Sequence, residues 1–377
     1  MKLAIISPYP PIKGGISKET EIIYSNIKST YDVTVISFSR LYPNFLYPSD
    51  SQYDHTIKID DSNIRYDIDI LNPASWSRVA NYIINNGFTH VVFRYWNPFF
   101  IPLYLYINWK IKSKRSNIEI SCICDNIFPH ESYFFERYFI KKFFSNIKSF
   151  LIMSSDSEKK LLPLINNKTK IIKSFLPLKE NLESKLNKIE ACEKLNIKKP
   201  PKLFLLFFGF IRDYKGLDVL INALSDMKNL DVKLLIAGES YISTKKIRDL
   251  INKNDVSNMI IWDRKYIPNS DINLYFSACD AVVLPYKKIS QSGIIPMAYH
   301  FDKLVVSSDI PSLKEHIVER ETGYMFKKNN SNDLSNVLTE IYHNHNFNNS
   351  ENFINKYKSR YSFDNFLNDF KELFENE

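Results

Sequence analysis

The stretch FFGFIRDYKGLDVL occupies positions 207–220 and grows out of the apolar run LFLLFF (203–208). Gly209 ends that run, Arg212 and Lys215 follow, and Gly216 opens a segment whose apolar residues recur at helical spacing. A buried strand that passes through a glycine-bracketed cationic loop into a helix is the start of a βα unit. The same rhythm extends outward in both directions. Upstream lie KLAIIS (2–7), DVTVISF (32–38), IRYDIDI (64–70), HVVFRYW (90–96), IEISCIC (118–124) and SFLIMSS (149–155). Downstream lie VKLLIAGE (232–239), MIIWDR (259–264), AVVLPY (281–286) and LVVSSD (304–309). Helical patterns such as SWSRVANYIIN (75–85) separate them. Alternating strands and helices argue for parallel sheets covered on both faces, so the predicted class is α/β with two doubly wound domains.

The chain has 377 residues, long enough for two domains of ordinary size. Hydrophobic residues make up 44%, which excludes global disorder. The formal net charge of +8 favours acidic partners such as nucleotides or anionic lipid surfaces. The positive charge is scattered and no recognition motif accompanies it, which argues against nucleic acid. Cys122, Cys124, Cys192 and Cys279 show no metal-ligand spacing beyond one C-x-C, and they read as reduced, buried residues of a cytoplasmic protein. MKLAIISPYPP is too short and proline-rich for a signal peptide, and FFIPLYLYINW (99–109) falls short of a membrane span.

KENLESKLNKIEACEKLNIKKPPK (179–202) reads as a partly helical interdomain connection. The domains are expected at 1–176 and 177–358, and SRYSFDNFLNDFKELF (359–374) carries Phe363, Phe366, Phe370 and Phe374 at helical spacing. Glycines are few: eight, against roughly 26 at an average 7% composition. Six of them, Gly14, Gly15, Gly209, Gly216, Gly238 and Gly293, stand at or just past the end of a strand. In open α/β sheets that edge binds ligands.

Four loops at those edges carry candidate chemistry. Arg212 and Lys215, next to a helix start, suit a diphosphate: one offers a planar fork of donors, the other a point charge. Ser290, Gln291, Ser292 and Gly293 precede a second apolar helix and offer hydroxyl and N–H donors. Gly14-Gly15 opens the first helix without forming the dinucleotide fingerprint G-x-G-x-x-G. Asp125, Asn126, His130 and Glu131 follow the IEISCIC strand, where they could hold sugar hydroxyls or move a proton. The D-x-D of YDID (66–69) reads as one polar strand face rather than a metal site, and His343 and His345 as a polar loop. ESYFFERYFIKKFFSNIKSF (131–150) reads as one helix with Phe135, Phe139, Phe143 and Ile147 on a face and Lys141, Lys142 and Lys148 around it. Such a helix packs on a core or lies on an anionic membrane.

Taken together, GGISKE, PHE, FGFIRDYKGLDVLI, LLIAGE, DAVVLPY and SGIIPMAYHFDKLVVSSDIPSLKEHI resemble the bacterial family 4 glycosyltransferases of GT-B architecture. NPFF and PHE further resemble members associated with surface-polysaccharide assembly, including O-antigen and capsule. The resemblance implies two Rossmann-like domains facing a cleft, with the last helix returning to the first domain. It implies metal-free transfer, with retention, from a UDP- or GDP-linked sugar to a glycan or polyprenyl-linked acceptor, and no cofactor. Gly14 and Gly15 match the glycine loop near donor phosphate and acceptor, and His130 the histidine of the PHE-like segment. Arg212 and Lys215 match the pair that stabilises the diphosphate. Gly293, Ile294 and Ile295 match the phosphate loop, and Arg264, Tyr266 and Ile267 the base-holding segment. Gly209, Gly238, Gln291, Ser292 and Glu315 complete the implied donor side; Asp125, Asn126 and Glu131 the acceptor side. Two positions where the family carries glutamates, the second of them on the ribose, hold Ile289 and Met297 here. That departure leaves room for a non-catalytic nucleotide-binding subunit, and the architecture for an epimerase or phosphorylase.

Overall fold

The computed structural model describes residues 1–43, 51–54, 56–114, 117–128, 134–177, 182–344 and 346–374. The chain forms two compact units. Unit 1 comprises Met1–Met153, Ser157–Ser174 and Leu367–Glu377; unit 2 comprises Ser154–Asp156 and Phe175–Phe366.

Unit 1 holds seven strands among the described residues: β1 (Lys2–Ile6), β2 (Asp32–Arg40), β3 (Ile64–Asp69), β4 (His90–Tyr95), β5 (Glu119–Cys124), β6 (Ser149–Ile152) and β7 (Lys170–Lys173). They lie in the order β3-β2-β1-β4-β5-β6-β7, every neighbour parallel. Unit 2 holds β8 (Leu203–Phe208), β9 (Val232–Ala237), β10 (Ile260–Asp263), β11 (Ala281–Leu284), β12 (Leu304–Ser308) and β13 (Gly323–Phe326). Their order, β10-β9-β8-β11-β12-β13, is again wholly parallel. Helices on both faces explain the unbroken apolar strands: all six residues of β8 are buried, because a parallel sheet has no solvent side. In each unit the strand order reverses beside the first strand, between β1 and β4 and between β8 and β11. That reversal leaves a crevice outside the carboxyl ends of the strands.

Four readings of the sequence need correction. The 131–150 stretch is not one helix: a helix runs Phe134–Phe144, and Ile147 is buried in the turn that leads into β6. Its proposed aromatic face is divided, since Phe143 is buried and Phe139 is 45% exposed. SFLIMSS stops being a strand at Ile152, and a helix starts at Ser155. The supposed connection at 179–202 is built into unit 2 over its described part. Its helix Lys188–Lys194 buries Ala191 and Cys192, and Lys188 lies 2.6 Å from Asp280. Finally, the short edge strands β7 and β13 went unread.

The last helix, Phe363–Lys371, buries Phe363, Phe366 and Phe370. Beyond it the Leu373 carbonyl accepts from the Ser149 and Ser121 hydroxyls at 3.0 and 3.4 Å. Phe374 packs edge-on against His90 and Tyr31, so this terminal piece completes the unit 1 core. All four cysteines are free and buried. Asp67 of the D-x-D is 2.6 Å from Arg65, and Asp69 is 3.4 Å from Arg40, as befits a charged strand face. Among the described residues no helix is long and apolar enough to cross a membrane.

Candidate active site

In unit 2 the loops after β8 and β11 meet at the strand-order reversal. Gly216 has φ 68° and ψ 28°, a left-handed conformation that glycine adopts without strain. It lies so close to the second loop that a Cβ there would stand 1.8 Å from the Pro285 carbonyl oxygen. The Lys287 N–H donates to the Tyr214 carbonyl at 2.7 Å, and the Lys287 ammonium is 2.7 Å from Asp218. The loop after β9 joins from the other side: the Ile211 N–H donates to the Glu239 carbonyl and the Tyr241 N–H to the Ile211 carbonyl. There Gly238, at φ 147°, approaches the carbonyl of Gly209 so closely that a Cβ would lie 2.3 Å from it.

This knot carries the two cations. Lys215 sits at the end of a single 3-10 turn, Asp213–Lys215, with 8% exposure. Its ammonium stands 5.8 Å from the centre of the Tyr286 ring. Among the described residues it has neither a hydrogen-bond nor an ion-pair partner. Burial, reinforced by the neighbouring Arg212 charge, pushes its pKa down to about 8. Arg212 is exposed, and its guanidinium lies 4.7 Å from the Tyr241 ring centre. A buried ammonium without a counter-charge, beside an arginine, is a place for an anion from outside the protein.

The 290–295 segment supplies fewer free groups than its composition suggests. The Ser292 hydroxyl accepts from the Ile294 N–H at 3.3 Å and is hydrogen-bonded to the Tyr286 side chain. Ile295 is buried, Gly293 is exposed with φ −70°, and the helix Ile294–His300 that follows has seven residues. The buried Oε1 of Gln291 has no partner among the described residues. Met297 is 6% exposed within the core, so an apolar side chain fills the place of the implied ribose carboxylate. Glu315 is engaged: its carboxylate accepts from the Ser155 N–H at 3.1 Å and from its hydroxyl at 2.7 Å, capping a helix. Beyond β10, Arg264 lies over the Trp262 ring, Ile267 is buried and Tyr266 is 62% exposed.

At the carboxyl edge of unit 1, Asp125 does not stand open as a hydroxyl acceptor. Both its oxygens accept from Arg94, at 2.8 Å each. Arg94, 1% exposed, also donates to Glu19 on the helix that Gly15 begins. Burial alone would lower the arginine's pKa, but Asp125 and Glu19 overcome it and hold it well above its usual value. Gly14 has φ 135°, and no described atom lies within 4 Å of the point where a Cβ would stand, so that loop is open. Asn126 is half-buried at the same edge. His130, Glu131 and, in the polar loop, His345 lie outside the described residues. Arg94, Glu19, Phe210 and Tyr241 escaped sequence reasoning, although the last two directly follow strand-end glycine loops.

The family model described as glycosyl transferases group 1 matches residues 188–360. That stretch is similar to the group 1 glycosyl transferases. It contains the whole cationic knot. Over 141 residues the chain is 28% identical to an uncharacterised glycosyltransferase of Methanocaldococcus jannaschii, covering 37% of this chain and 38% of that protein. Over another match of 141 residues it is 29% identical to a GDP-mannose:glycolipid 4-beta-D-mannosyltransferase of Xanthomonas campestris pv. campestris, covering 36% and 40%. The matches therefore span well under half the length of these relatives. The fold matches sucrose-phosphate synthase of Thermosynechococcus elongatus over 99% of this chain and 98% of that one, with TM-score 0.75 and 14% identity. The strand orders of both units and this likeness are those of the GT-B fold.

Proposed function

We propose that this protein is a hexosyltransferase that moves a sugar from a nucleoside diphosphate sugar, UDP- or GDP-linked, to a glycan or polyprenyl-linked acceptor in surface-polysaccharide assembly. The observation that carries this reading is the buried ammonium of Lys215, unpartnered among the described residues, beside Arg212 at the crevice of unit 2. As the glycosidic bond of the donor breaks, negative charge grows on the diphosphate. Arg212, with its planar fork of donors, and Lys215, desolvated in advance, are placed to meet that charge without reorganising. These two side chains neutralise the diphosphate in place of a metal ion. Retention through front-face substitution, with the leaving phosphate taking the acceptor's proton, fits a site in which no paired carboxylates were read from the sequence.

The glycolipid named for the Xanthomonas relative supports a lipid-linked acceptor. Unit 1 is assigned the acceptor, through the open Gly14-Gly15 loop, Asn126 and the segment that carries His130 and Glu131. The enzyme would work at the inner face of a membrane. A second reading has one specific observation behind it: Met297 is buried at the position where the family resemblance implies a ribose-holding glutamate. On that reading the chain binds a nucleotide without turning it over.

Incubation with a panel of nucleotide-sugars and polyprenyl-linked acceptors, with product detected by mass, separates the two. Product formation that falls by at least about 10²-fold in Arg212→Ala and in Lys215→Ala supports the transferase. Nucleotide binding without product from any donor supports the second reading.

A further inference from the structure

Arg94 holds one carboxylate more than its own charge requires. It lies buried between Phe93 and Tyr95 near the carboxyl end of β4. Its backbone is pinned, because the Tyr104 hydroxyl donates to the Arg94 carbonyl at 2.8 Å. The Asp125 N–H donates to the Tyr95 carbonyl at 2.9 Å, which prolongs the contact of β4 with β5 and carries Asp125 to the guanidinium. Nε and Nη2 of Arg94 then meet the two Asp125 oxygens, and this fork-on-fork contact neutralises the cation. Glu19 joins as a second carboxylate on the same Nη2, while the buried Nη1 has no partner among the described residues. A pair built for burial alone would stop at Asp125, since a third charge adds no neutralisation that the pair lacks. The cluster is left with one negative charge in excess.

That excess is carried at the surface of unit 1. The Glu19 side chain is 35% exposed, whereas Arg94 and Asp125 are buried beneath it. Glu19 stands about one turn along the helix Gly15–Ile27 from its first residue, next to the Gly14 loop whose surroundings are open. We propose that Glu19 is an acceptor-binding residue, that Arg94 is the positioning residue that aims it, and that the group it meets is an uncharged, hydroxyl-bearing sugar end. The proposal rests on the transferase reading and narrows its acceptor. A carboxylate offers about four acceptor sites, and a sugar hydroxyl donates to it in a charge-assisted bond. A uronate or phosphate in the same place would face the surplus negative charge, so one residue both binds the neutral end and rejects the anionic one. Arg94 matters because a glutamate on a helix otherwise samples many rotamers. Tied at its far end to a buried, bidentate arginine, it is aligned before the acceptor arrives.

The test is steady-state kinetics of the full chain on polyprenyl-linked acceptors that end in a neutral hexose or in a hexuronic acid, with a panel of UDP- and GDP-linked hexoses as donors. The wild type should show the higher kcat/KM on the hexose end. Glu19→Gln keeps the shape and loses the charge. It should raise the KM for the hexose-ended acceptor on the order of 10-fold, leave the donor KM unchanged and narrow the discrimination against the uronate. Arg94→Lys keeps the cation and loses the fork, so it should raise the acceptor KM with the donor KM again unchanged. Glu19→Asp, which keeps the charge on a shorter arm, should restore part of the discrimination. An unmoved acceptor KM in Glu19→Gln overturns the proposal. So does an equal rise in both KM values, which would mark a disturbed fold, and so does a wild type that prefers the uronate. No product from any wild-type pairing overturns the transferase reading, and the proposal falls with it. Once the wild type gives product, the other outcomes bear on Glu19 and Arg94 alone.

Discussion

Gly216 and Pro285 come from loops almost seventy positions apart, yet a Cβ on Gly216 would lie 1.8 Å from the Pro285 carbonyl oxygen. No side chain yields at that contact, because the obstacle is backbone. Gly216→Ala should therefore force the β8 and β11 loops apart as well as strain a left-handed residue. We expect a loss of about 1–3 kcal/mol in urea-induced unfolding, together with weaker pyrophosphate binding. Unchanged stability and unchanged binding would show that the two loops separate freely.

Lys215 gives up stability to hold its charge. Its pKa falls from 10.5 to about 8 on folding. Between those values the unfolded chain binds more protons than the folded one, so this residue's penalty is fully present below pH 8 and fades as pH rises towards 10.5. Lys215→Met should be more stable than the wild type at pH 7, by at most roughly 3 kcal/mol, while turning over no substrate. The advantage should shrink from pH 8 upward. A variant less stable than the wild type at pH 7 would contradict this.

The same residue sets a pH dependence for ligand. An anion favours the charged ammonium, so binding above pH 8 must draw in a proton. Relative to Lys215→Met, a reference that cancels the titration of pyrophosphate itself, wild-type affinity should be level below pH 8 and fall as pH rises past it, and titrations in buffers of different ionisation enthalpy should reveal the extra proton. A ratio of wild-type to Lys215→Met affinity that is flat to pH 9.5 would separate Lys215 from the anion.

Arg94 is tied to Asp125 and Glu19 with almost no solvent access. Arg94→Met leaves two carboxylates facing one another without the cation. Breaking such a buried pair from one side costs about 3–5 kcal/mol. Chemical denaturation would measure it, and Asp125→Asn in the same background should recover part of the loss.

A membrane role can be tested at the helix Phe134–Phe144, where Tyr138 and Phe139 are exposed and Lys141 and Lys142 face water. Binding to anionic vesicles should be salt-sensitive and absent from neutral ones. At about 1 kcal/mol per lysine, replacing both with Glu should weaken it at least roughly 30-fold. Equal sedimentation with both vesicle types would remove this helix from consideration.

What could be read in advance follows from where burial is uniform. The β8 run LFLLFF is buried along its whole length and announces itself. The edge strand β7, Lys170–Lys173, has only two apolar residues between lysines and gives no such signal. The cations of the site were legible because glycines bracket them. Arg94 was not: within HVVFRYW it looks like the polar position of a strand, and only the fold brings Asp125 and Glu19 to it from 31 and 75 positions away. The 131–150 helix was misread because Ile147 keeps helical spacing with Phe143 across a turn. Such phase coincidences cannot be told from true periodicity without tertiary contacts.

The Leu373 carbonyl, which receives the hydroxyls of Ser149 and Ser121 across 224 and 252 positions, dictates an order of assembly during translation. A ribosome adding about 5–20 residues per second makes everything in unit 2 before it makes this segment, so unit 1 waits roughly 10–40 s for its final piece. Throughout that interval the unit synthesised first has an unfinished core at the place Phe374 will fill, and at its end the one synthesised second has its whole chain while the first still lacks its last piece. The nascent protein should therefore mature in reverse of its reading order, and a ribosome-bound holdase would find its longest-lived client surface near the amino terminus.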